Sequence, residues 1–527
     1  MENPSLSDPQ LASWRFDAIR NIADIAPHWA RETPDAIALI DGDRRRTYAA
    51  LDERSNRIAN QLAAQGAGPG SLVGYFGKNA LEFWELWLGA SKAGCALAPF
   101  NWRCAVAELV QIVGNATPAL VVVSAEFADI FAQVRAGCAD AFPLVVFGGV
   151  PDAYEAWLAD GDPAPVVRQV SPDEIALVSF TSGTTGLPKG VATSQGNFGW
   201  SFLCTALEPA LTWTAGDVML MAMPNFHLGG SWLCLYALVN GTAISTVPQF
   251  DPDLCIDAIA RDRVSVAPMV PAAIQLLLDH PRASPEAFAA LRSIIYFGSP
   301  IGANLLLRAR QEIGCALSQA YGTTEANFVT LLRPEDHFTD DASILASCGR
   351  ALPLCVLRIV DGDANVLPAG TVGEVEARTP MAFAGYLGRP DATAETWRDG
   401  WYRTGDLGRM DAAGYLTIVD RAKDMIISGG ENIYSAEVEG ALGKLPGIRQ
   451  CGVVGLPDPK WGERVTAAVI VDPAAALTEA AIIAHCRTLI AGYKVPKQVL
   501  FLDALPQTPT GKVQKAALRK LLAESED

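Results

Sequence analysis

Several patterns that would define a class of protein are missing from this sequence of 527 residues. None of its eleven cysteines stands in C-x-x-C spacing or in a Cys/His cluster, so the sequence predicts neither a disulfide framework nor a zinc site. Basic residues form no dense run, and 41 Lys and Arg face 58 Asp and Glu. The resulting net charge of −17 argues against nucleic acid as a partner.

Segments that would direct the chain into or across a membrane are also missing. The N-terminal MENPSLSDPQLASWRFDAIR lacks the positively charged start and apolar run of a secretory signal, so we expect a cytoplasmic location with reduced cysteines. Between Asp217 and Asp251 the sequence carries no charge. Prolines, glycines and asparagines divide this stretch into pieces shorter than the ~20 apolar residues of a spanning helix. We interpret it as buried core and pocket wall, with no transmembrane segment.

Length and apolar content predict a multidomain globular protein, since half of the residues are apolar and 527 residues exceed one ordinary core. From about 170 to 330, short apolar stretches end in polar turns and are followed by helix-like segments. Examples are IALVSF before TSGTTG and ALSQAYG before TTEA. This alternation predicts parallel sheets covered by helices, with ligands bound beyond the carboxyl ends of the strands.

The last third of the chain has a different texture. Residues from about 355 to 420 form short segments with many turns, which is typical of a β-rich subdomain. Farther on, Ser435 can cap a helix, and CGVVGL and VTAAVIV predict strands. The sequence thus predicts an α/β protein: a large N-terminal domain of parallel α/β sheets over 1–420 that includes the β-rich part, a hinge at 421–424, and a small mobile α+β C-terminal domain over 425–527.

The most informative segment is the glycine-rich loop at 181–190, TSGTTGLPKG. Its glycines allow a tight turn with exposed N–H groups, its hydroxyls donate hydrogen bonds, and its lysine supplies a cation, a combination typical of triphosphate binding. Only two residues separate Gly183 from Gly186, and Lys189 follows a proline, so the loop is not the common P-loop. Composition alone leaves a flexible surface loop open as the alternative.

This loop resembles the signature of the adenylate-forming superfamily, which includes acyl-CoA synthetases, luciferases and the adenylation domains of peptide synthetases. Four later segments resemble further motifs of that family in the expected order: YGTTE at 321–325, YRTGDL at 402–407, DRAKDMIISGGEN at 420–432 and PTGK at 509–512. The resemblance extends over nearly the whole chain and is closest to bacterial fatty-acyl-CoA and aryl-CoA ligases. It implies two steps, in which an acyl adenylate and pyrophosphate form first and acyl-CoA and AMP follow.

The resemblance also implies which residues act on the phosphates. Glu325 and Thr184 are expected to hold Mg²⁺ together with ATP, because a hard cation takes oxygen ligands, and Thr324 is expected to contact phosphate oxygens. Lys512 is expected to bridge the acyl carboxylate and the α-phosphate, a role that suits a compact ammonium on a flexible stem. A carboxylate at the start of a helix is the structural alternative for Glu325.

The remaining nucleotide contacts are implied in the same way. Asp406 is expected to bind the ribose hydroxyls, and Arg421 to reach the ribose or a phosphate. Adenine is expected to stack near Tyr321 and to rest on residues 298–300, where the family often has two glycines and this chain has Phe297 before one. The full set expected around ATP or AMP is Thr181, Ser182, Gly183, Thr184, Thr185, Gly186, Lys189, Gly298, Ser299, Pro300, Gln319, Ala320, Tyr321, Gly322, Thr324, Asp406, Arg421 and Lys512.

The second step requires the thiol of coenzyme A to reach the place that Lys512 occupied in the first. Family members rotate the C-terminal domain about a hinge, which Lys423 matches here. Ser428, Gly429 and Gly430 are expected to line the path of the pantetheine arm, because residues with small or no side chains leave room for a narrow tunnel. Ser435 stands where related ligases often carry proline, and we expect this change to alter only the start of the following helix.

The acyl pocket is expected to be apolar, with no charged partner for a second carboxylate. Gly229, Gly230 and Gly322 are expected to make the pocket deep, because they carry no side chains. A deep pocket favours a medium- or long-chain fatty acid over the alternative of an aryl or steroid-type acid. As a lone histidine in an apolar run, His227 is alternatively a core residue. The expected wall consists of His227, Leu228, Gly229, Gly230, Phe297 and Asn327.

Competing interpretations differ in what they require of the sequence. A non-catalytic nucleotide-binding protein would have lost Glu325, Asp406 or Lys512, and all three are present. A peptide-synthetase module would continue into a carrier domain beyond the PTGK motif, whereas the motifs alone leave a light-emitting relative open. Ligation to coenzyme A is favoured, so the expected partners are a carboxylic acid, ATP with Mg²⁺, and coenzyme A. An oligomer is possible.

Overall fold

The computed structural model describes residues 18–181, 188–421, 424–428, 431–459, 461–507 and 513–524, and the side chains of Leu228, Glu431 and Asn432 lie outside this described part. The chain divides into two compact units. The first unit contains Met1–Val356 and Ala377–Tyr402, and the second contains Leu357–Glu376 and Arg403–Asp527. The predicted domain limits stay a prediction.

Helices of the described part are numbered α1 to α16 in chain order. Their bounds are α1 Ile25–Glu32, α2 Tyr48–Ala64, α3 Leu81–Ala93, α4 Val106–Ala116, α5 Ala128–Gly137, α6 Ala153–Ala159, α7 Gln195–Ala206, α8 Leu228–Val239, α9 Pro252–Asp262, α10 Pro271–Leu278, α11 Ala303–Arg308, α12 Ala342–Leu345, α13 Pro390–Glu395, α14 Ser435–Leu442, α15 Glu479–Leu489 and α16 Lys515–Glu524.

Strands are numbered β1 to β26 in the same way. Their bounds are β1 Ile37–Asp41, β2 Arg44–Thr47, β3 Leu72–Phe76, β4 Ala96–Pro99, β5 Leu120–Ser124, β6 Leu144–Phe147, β7 Ile175–Thr181, β8 Lys189–Ser194, β9 Val218–Met221, β10 Ala243–Thr246, β11 Val266–Met269, β12 Ser293–Phe297, β13 Ala316–Thr323, β14 Asn327–Leu332, β15 Arg350–Ala351, β16 Val356–Val360, β17 Gly373–Arg378, β18 Gly385–Tyr386, β19 Trp397–Arg398, β20 Trp401–Met410, β21 Leu416–Arg421, β22 Ile426–Ser428, β23 Glu431–Ile433, β24 Ile448–Asp458, β25 Gly462–Val471 and β26 Gln498–Phe501.

Two mainly parallel sheets form the first unit. The nine-stranded sheet has the order β15-β14-β13-β12-β11-β9-β10-β1-β2, and the six strands from β13 to β1 in that order pair in parallel. The seven-stranded sheet has the order β18-β8-β7-β4-β3-β5-β6, with parallel pairing from β7 to β6. Continuous apolar strands such as β12, buried at all five positions, are typical of parallel sheets covered on both faces.

Helix α3 is a buried helix of the first unit that contacts both of these sheets. All thirteen of its residues are buried, and it contacts β1 of the nine-stranded sheet and β4 of the seven-stranded one. Its indoles Trp84 and Trp87 stack with ring centroids 5.7 Å apart. Its acidic Glu82 and Glu85 are paired with Arg44 and Arg46, because a buried carboxylate needs a compensating partner. The predicted fold class is confirmed by this architecture.

The second unit contains a sheet of order β23-β22-β25-β24, with β26 beside β25. Strands β24 and β25 are long antiparallel partners, and they contain the predicted strand segments CGVVGL and VTAAVIV. Helices α14 and α15 pack with this sheet around Ile426, Val438 and Ile482, each almost fully buried. A further five-stranded sheet has the order β16-β17-β20-β19 with β21 beside β20, and the three boundaries between the units fall within β16, β17 and β20.

Two predicted strand-to-helix turns are instead turns between antiparallel strands. Strand β7 is followed by its antiparallel partner β8, and β13 is followed by its antiparallel partner β14. The prediction of a helix directly after TSGTTG and after YGTTEA is therefore wrong. Both returning strands extend the antiparallel edge of a mainly parallel sheet. The strand character of β8 and β14 is concealed because KGVATS is partly polar and NFVTLL directly follows the polar turn TTEA, so neither shows a clear strand periodicity.

The uncharged stretch between Asp217 and Asp251 folds into β9, α8 and β10. Helix α8 has only 12 residues, well short of the ~20 that a bilayer requires. Within the described residues, no helix is long and apolar enough to cross a membrane.

Candidate active site

The glycine-rich loop joins two paired strands. Thr181, the last residue of β7, lies opposite Lys189, the first residue of β8, and its hydroxyl donates to the carbonyl of Lys189 over 3.4 Å. The predicted contacts Ser182, Gly183, Thr184, Thr185 and Gly186 lie outside the described residues. The structure therefore describes the two ends of the loop, which the hairpin holds together.

The second motif forms the turn between β13 and β14. Thr323 closes this turn, because its hydroxyl accepts a hydrogen bond from Ala326 N–H at 3.0 Å and lies 3.2 Å from the hydroxyl of Tyr402. Gly322 has to be glycine, since a methyl group there would lie 1.8 Å from the carbonyl oxygen of Asn327. No helix begins at Glu325, so the alternative of a helix-start carboxylate is wrong.

Glu325 at the tip of this turn is held by a segment some sixty residues farther along the chain. The backbone N–H of Phe383 donates to the Glu325 carbonyl at 2.6 Å. The hydroxyl of Tyr386 donates to Glu325 Oε1 at 2.7 Å. Burial, and then the negative charge of Glu325, raise the pKa of Tyr386 well above its usual range, so its hydroxyl stays a donor. Glu325 Oε2 accepts no hydrogen bond from the described residues.

Lys189 meets the same tyrosine. Its ammonium lies 4.7 Å from the centroid of the Tyr386 ring, within the range of a cation–π contact. Tyr386 belongs to β18, which pairs antiparallel with β8, so backbone pairing brings the aromatic ring to the lysine. One side chain thus contacts both the lysine of the glycine-rich loop and the carboxylate of the second motif.

The residues predicted around adenine are brought together by strand register. Phe297 at the end of β12 lies opposite Ala320 of β13, and Tyr296 lies opposite Gln319. Gly298 follows with a φ of +85°, a conformation that favours glycine. Ser299, Pro300 and Tyr321 therefore continue from adjacent strand ends at the carboxyl edge of the parallel sheet, where open α/β sheets bind ligands.

Phe297, one residue of the predicted acyl wall, belongs to a cluster of aromatic rings. The ring centroid of Phe297 lies 5.7 Å from that of Phe328, and the ring centroid of Trp232 lies 5.1 Å from that of Phe328. Gly229, in the first turn of α8, packs directly against Phe297. The side chain of Leu228 is outside the described part. The three aromatic side chains of this cluster are buried.

The glycines of this region do not leave the open depth that we expected. A methyl group at Gly229 would lie 2.6 Å from Phe297 Cε2, and one at Gly230 would lie 2.7 Å from Met223 Cβ. Gly322 does not leave open space either, because a methyl group there would lie 1.8 Å from the carbonyl oxygen of Asn327. These glycines allow close packing between neighbouring segments, so their presence carries no information about the length of the acyl chain.

His227 and Asn327 differ in how their polar atoms are satisfied. Asn327 donates to Ser201 Oγ at 3.2 Å and its side-chain oxygen accepts from Phe328 N–H, so it fastens β14 to α7. His227 Nε2 is buried and has no hydrogen-bond partner among the described residues. Burial, assisted by the positive charge of Arg103, lowers the pKa of His227 to about 4. The imidazole is therefore neutral at pH 7.

In the second unit, the predicted ribose ligand is already ion-paired. Asp406 of β20 lies opposite Arg421 of β21, and its Oδ1 accepts from Arg421 Nε at 2.9 Å. Asp406 is buried, whereas the Arg421 side chain is 43% exposed. The N–H of Asp406 donates to Thr404 Oγ1, which in turn donates to the carbonyl of Val375. The carboxylate is thus fixed at a strand position.

Several predicted residues of the hinge and the C-terminal motif fall outside the described part: Lys423, Gly429, Gly430 and Lys512. Ser428 is described, and it is buried at the end of β22 opposite Gly462 of β25. Gln507 and Val513, the described residues on either side of the PTGK motif, pair as an isolated antiparallel bridge.

Ser435 is not the cap that we expected. The N-cap position belongs to Tyr434, and Ser435 is the first residue of α14. Its N–H and its hydroxyl both donate to Asp420 Oδ2, at 2.6 and 2.5 Å. Lys515 of α16 donates to the same hydroxyl. The expectation that serine here alters only the start of the helix is therefore wrong.

Sequence analysis did not single out Tyr386 or Arg103. Tyr386 stands 61 residues from Glu325, in a turn-rich segment whose only cue is an aromatic residue after Gly385. Arg103 follows β4, and its charge reaches His227. A cation placed directly after a parallel strand, in NWRC, is the cue that could have drawn attention to it.

A family model described as "AMP-binding enzyme" matches residues 26–387, and one described as "AMP-binding enzyme C-terminal domain" matches residues 437–512. Because the first match covers well over half of the chain, the chain belongs to the AMP-binding enzyme family of adenylate-forming acyl-CoA synthetases. The predicted enzyme class, an AMP-forming acid–thiol ligase, is confirmed by this membership and by the relatives that follow.

Individual relatives are similar over almost their whole length. The chain is 36% identical to a feruloyl-CoA synthase of Amycolatopsis over 492 residues, 93% of this chain and 97% of that protein. It is 33% identical to a long-chain-fatty-acid–CoA ligase of Mycobacterium tuberculosis over 494 residues, 91% and 93% of the two chains. The crystal structure of ATP-bound MatB from Rhodopseudomonas palustris superimposes with a TM-score of 0.86 at 30% identity and covers 95% of this chain and all of that one.

Proposed function

We propose that this chain activates an apolar monocarboxylic acid with ATP and transfers the acyl group to coenzyme A. The observation that carries the proposal is the convergence on Tyr386, which contacts Lys189 of the glycine-rich loop and Glu325 of the second motif within one unit. Attack of a carboxylate on the α-phosphorus brings two anions together. A fixed cation and a metal-binding carboxylate can offset that negative charge, and here one side chain contacts both groups.

Magnesium fits the donor set at Glu325. The described residues contain no group of three or more His, Cys, Asp or Glu that could hold a metal by themselves. A single carboxylate with an unshared oxygen suits Mg²⁺, which usually binds one or two carboxylates along with substrate phosphates and water. Bound there with Thr184 as a further ligand, it would neutralise phosphate charge.

The other residues have separate tasks in the proposed reaction. Asp406 and Arg421 bind the ribose, and the segment from Gly298 to Pro300 supports adenine beside Tyr321. Lys512 neutralises the acyl carboxylate and the α-phosphate as they meet. In the second step, the region around Lys423 acts as the hinge, and the segment from Ser428 to Gly430 borders the path of the thiol. We place the enzyme in the cytoplasm.

A medium- or long-chain fatty acid is the first candidate for the acid. The described side chains of Phe297, Phe328 and Trp232 are apolar and buried, and one of the relatives described above is named for long-chain fatty acids. An aryl acid is the second candidate. It is favoured by the aromatic cluster in which the rings of Phe297 and Trp232 lie 5.7 and 5.1 Å from that of Phe328, because such rings can pack against an aryl group.

Pyrophosphate release from Mg·ATP tests the proposal. Octanoate, palmitate, cinnamate, ferulate and a steroid-type acid are compared, each with and without coenzyme A, using the wild type and Lys512→Ala. Sustained turnover that depends on one class of acid and on coenzyme A, and that is lost in the variant, is the expected result. If ATP binds and no acid supports pyrophosphate release, a non-catalytic nucleotide-binding protein becomes the better interpretation.

A further inference from the structure

Glu325 lies in a short turn, and a glutamate in such a position has several accessible rotamers. A carboxylate that ligates a metal is usually oriented by a hydrogen bond to its other oxygen, and the loss of such an outer partner commonly weakens metal binding by 10- to 100-fold. The described structure contains one donor to this side chain, the hydroxyl of Tyr386 on Oε1.

Tyr386 is itself firmly held. Its backbone N–H donates to Thr393 Oγ1 at 2.8 Å, and its strand β18 pairs with β8. Its ring packs edge-on against Phe383 with centroids 4.9 Å apart. The N–H of Phe383 in turn binds the carbonyl of Glu325. The segment 383–386 therefore donates hydrogen bonds to both the backbone and the side chain of Glu325.

The face of the same ring is occupied by the Lys189 ammonium at 4.7 Å. A lysine has a flexible four-carbon stem, so an aromatic face restricts where its charge lies. Tyr386 thus makes two separable contacts, through its hydroxyl to Glu325 and through its ring to Lys189.

We propose that Tyr386 is a positioning residue for metal–nucleotide binding: its hydroxyl orients Glu325 so that one oxygen is left for Mg²⁺, and its ring holds Lys189. This inference rests on the proposed function, because it takes Glu325 as a metal ligand and Lys189 as a phosphate contact. It assigns no chemical step to the tyrosine. Its consequence is that the two contacts affect two different binding constants.

Two substitutions separate the contacts. Tyr386→Phe removes the hydroxyl and keeps the ring, whereas Tyr386→Leu removes both. Binding of Mn²⁺, as a paramagnetic substitute for Mg²⁺, is measured by electron paramagnetic resonance in the presence of α,β-methylene-ATP, which cannot form an adenylate. Binding of the same analogue without metal is measured by calorimetry in EDTA. Neither readout requires turnover.

For Tyr386→Phe we expect the Kd for Mn²⁺ to rise about 10-fold while the metal-free Kd of the analogue is unchanged. Tyr386→Leu should show the same loss of Mn²⁺ affinity and, in addition, an about threefold higher metal-free Kd, since it also loses the contact with Lys189. In a Glu325→Gln background, Tyr386→Phe should have no further effect on Mn²⁺, because the group that it orients is gone.

Tyr48→Phe is the matched control. It removes another buried tyrosine hydroxyl, which donates to the carbonyl of Thr242 at 3.2 Å, and it should leave both constants unchanged. Equal Mn²⁺ affinity in Tyr386→Phe and the wild type, an effect that persists in Glu325→Gln, or an equal loss in Tyr48→Phe would overturn the inference alone. If wild-type protein binds neither the analogue nor Mn²⁺ with it, the proposed function fails and the inference falls with it.

Discussion

The hydroxyl and the backbone N–H of Ser435 donate to the same carboxylate oxygen of Asp420. The other oxygen of Asp420 accepts from the N–H of Arg421 at 2.7 Å and lies 4.0 Å from the Lys515 ammonium. Lys515 also pairs with Glu439 at 3.1 Å. The end of β21, the start of α14 and the start of α16 are therefore tied together at one buried carboxylate, within the segment that resembles the family's hinge.

Ser435→Pro should loosen this connection more than Ser435→Ala. Proline is well tolerated at the first position of a helix, so the backbone of α14 should survive. Alanine removes one hydrogen bond to Asp420 and should cost about 1.5 kcal/mol, whereas proline removes both and should cost about 3 kcal/mol, because each is a hydrogen bond to a charged group. Hydrogen exchange of peptides covering α14 and α16 measures this local opening.

A cycle with Asp420→Ala provides the control for that prediction. Without the carboxylate, Ser435→Pro should change protection of α14 by less than about 1 kcal/mol, since the partner is absent. Equal protection in wild type and Ser435→Pro would contradict the importance of the connection.

Asp406→Asn should weaken ATP binding by about 10-fold or more. The amide keeps the shape of the carboxylate but loses the charged acceptor proposed for the ribose hydroxyls, and hydrogen bonds to charged groups are worth about 1.5–3 kcal/mol. Titration calorimetry with ATP measures the Kd. Glu376→Gln is the matched variant, because Glu376 is a buried carboxylate of the same sheet whose partner, Arg358, lies 2.6 Å away. A comparable loss of affinity in both variants would show that general disturbance of the sheet is responsible.

Sequence patterns predicted the parallel strands β7, β9, β11, β12 and β13, because each lies in a continuous apolar run that ends in a turn. Strands β8 and β14 were missed, since KGVATS and NFVTLL follow polar turns and have too little periodicity to distinguish an edge strand from the start of a helix. Asp406 and Arg421 were both expected to bind the nucleotide. The register of β20 and β21 places them opposite each other.

The contact between Tyr386 and Glu325 could not be predicted in that way. The two residues are 61 positions apart in the sequence. Their contact depends on the pairing of β18 with β8, which nothing in the sequence specifies. For the same reason Ser435 was misjudged. Its hydroxyl was assigned to its own helix, although the acceptor comes from the end of β21, 15 residues earlier in the sequence.

His227 should remain neutral in the folded protein down to about pH 5. Its folded pKa of about 4 lies below the ordinary value of 6.5, so the unfolded chain binds more protons between these values. Stability from this group is complete above pH 6.5 and is lost as the pH falls toward 4, by about 2 kcal/mol at pH 5. The measurement is an NMR titration of the five histidines labelled at Cε1, with the His227 resonance assigned by its absence in His227→Gln.

The stability change should follow the same residue. Between pH 7.5 and pH 5, wild-type protein should lose about 2 kcal/mol more unfolding free energy than His227→Gln, as seen in urea titrations at both pH values. A His227 resonance that titrates near pH 6.5 would contradict the burial of the imidazole.

Gly229→Ala should disturb the acyl wall. The new methyl group would lie 2.6 Å from Cε2 and 2.9 Å from Cδ2 of Phe297, and a rigid ring cannot give way without moving against Phe328. Overpacking of this kind costs about 1–3 kcal/mol. Thermal unfolding should show the loss of stability, and kcat/KM for the preferred acid should fall because the wall shifts.

Gly114→Ala is the control for this substitution, since Gly114 also lies in a helix and a methyl group there meets nothing within 4 Å. It should be neutral or stabilise by up to about 1 kcal/mol, as alanine favours helices over glycine. Phe297→Leu should restore stability to Gly229→Ala, because a smaller and more flexible side chain makes room for the methyl group. If Gly229→Ala is as stable and as active as wild type, close packing of Gly229 on Phe297 does not define the acyl wall.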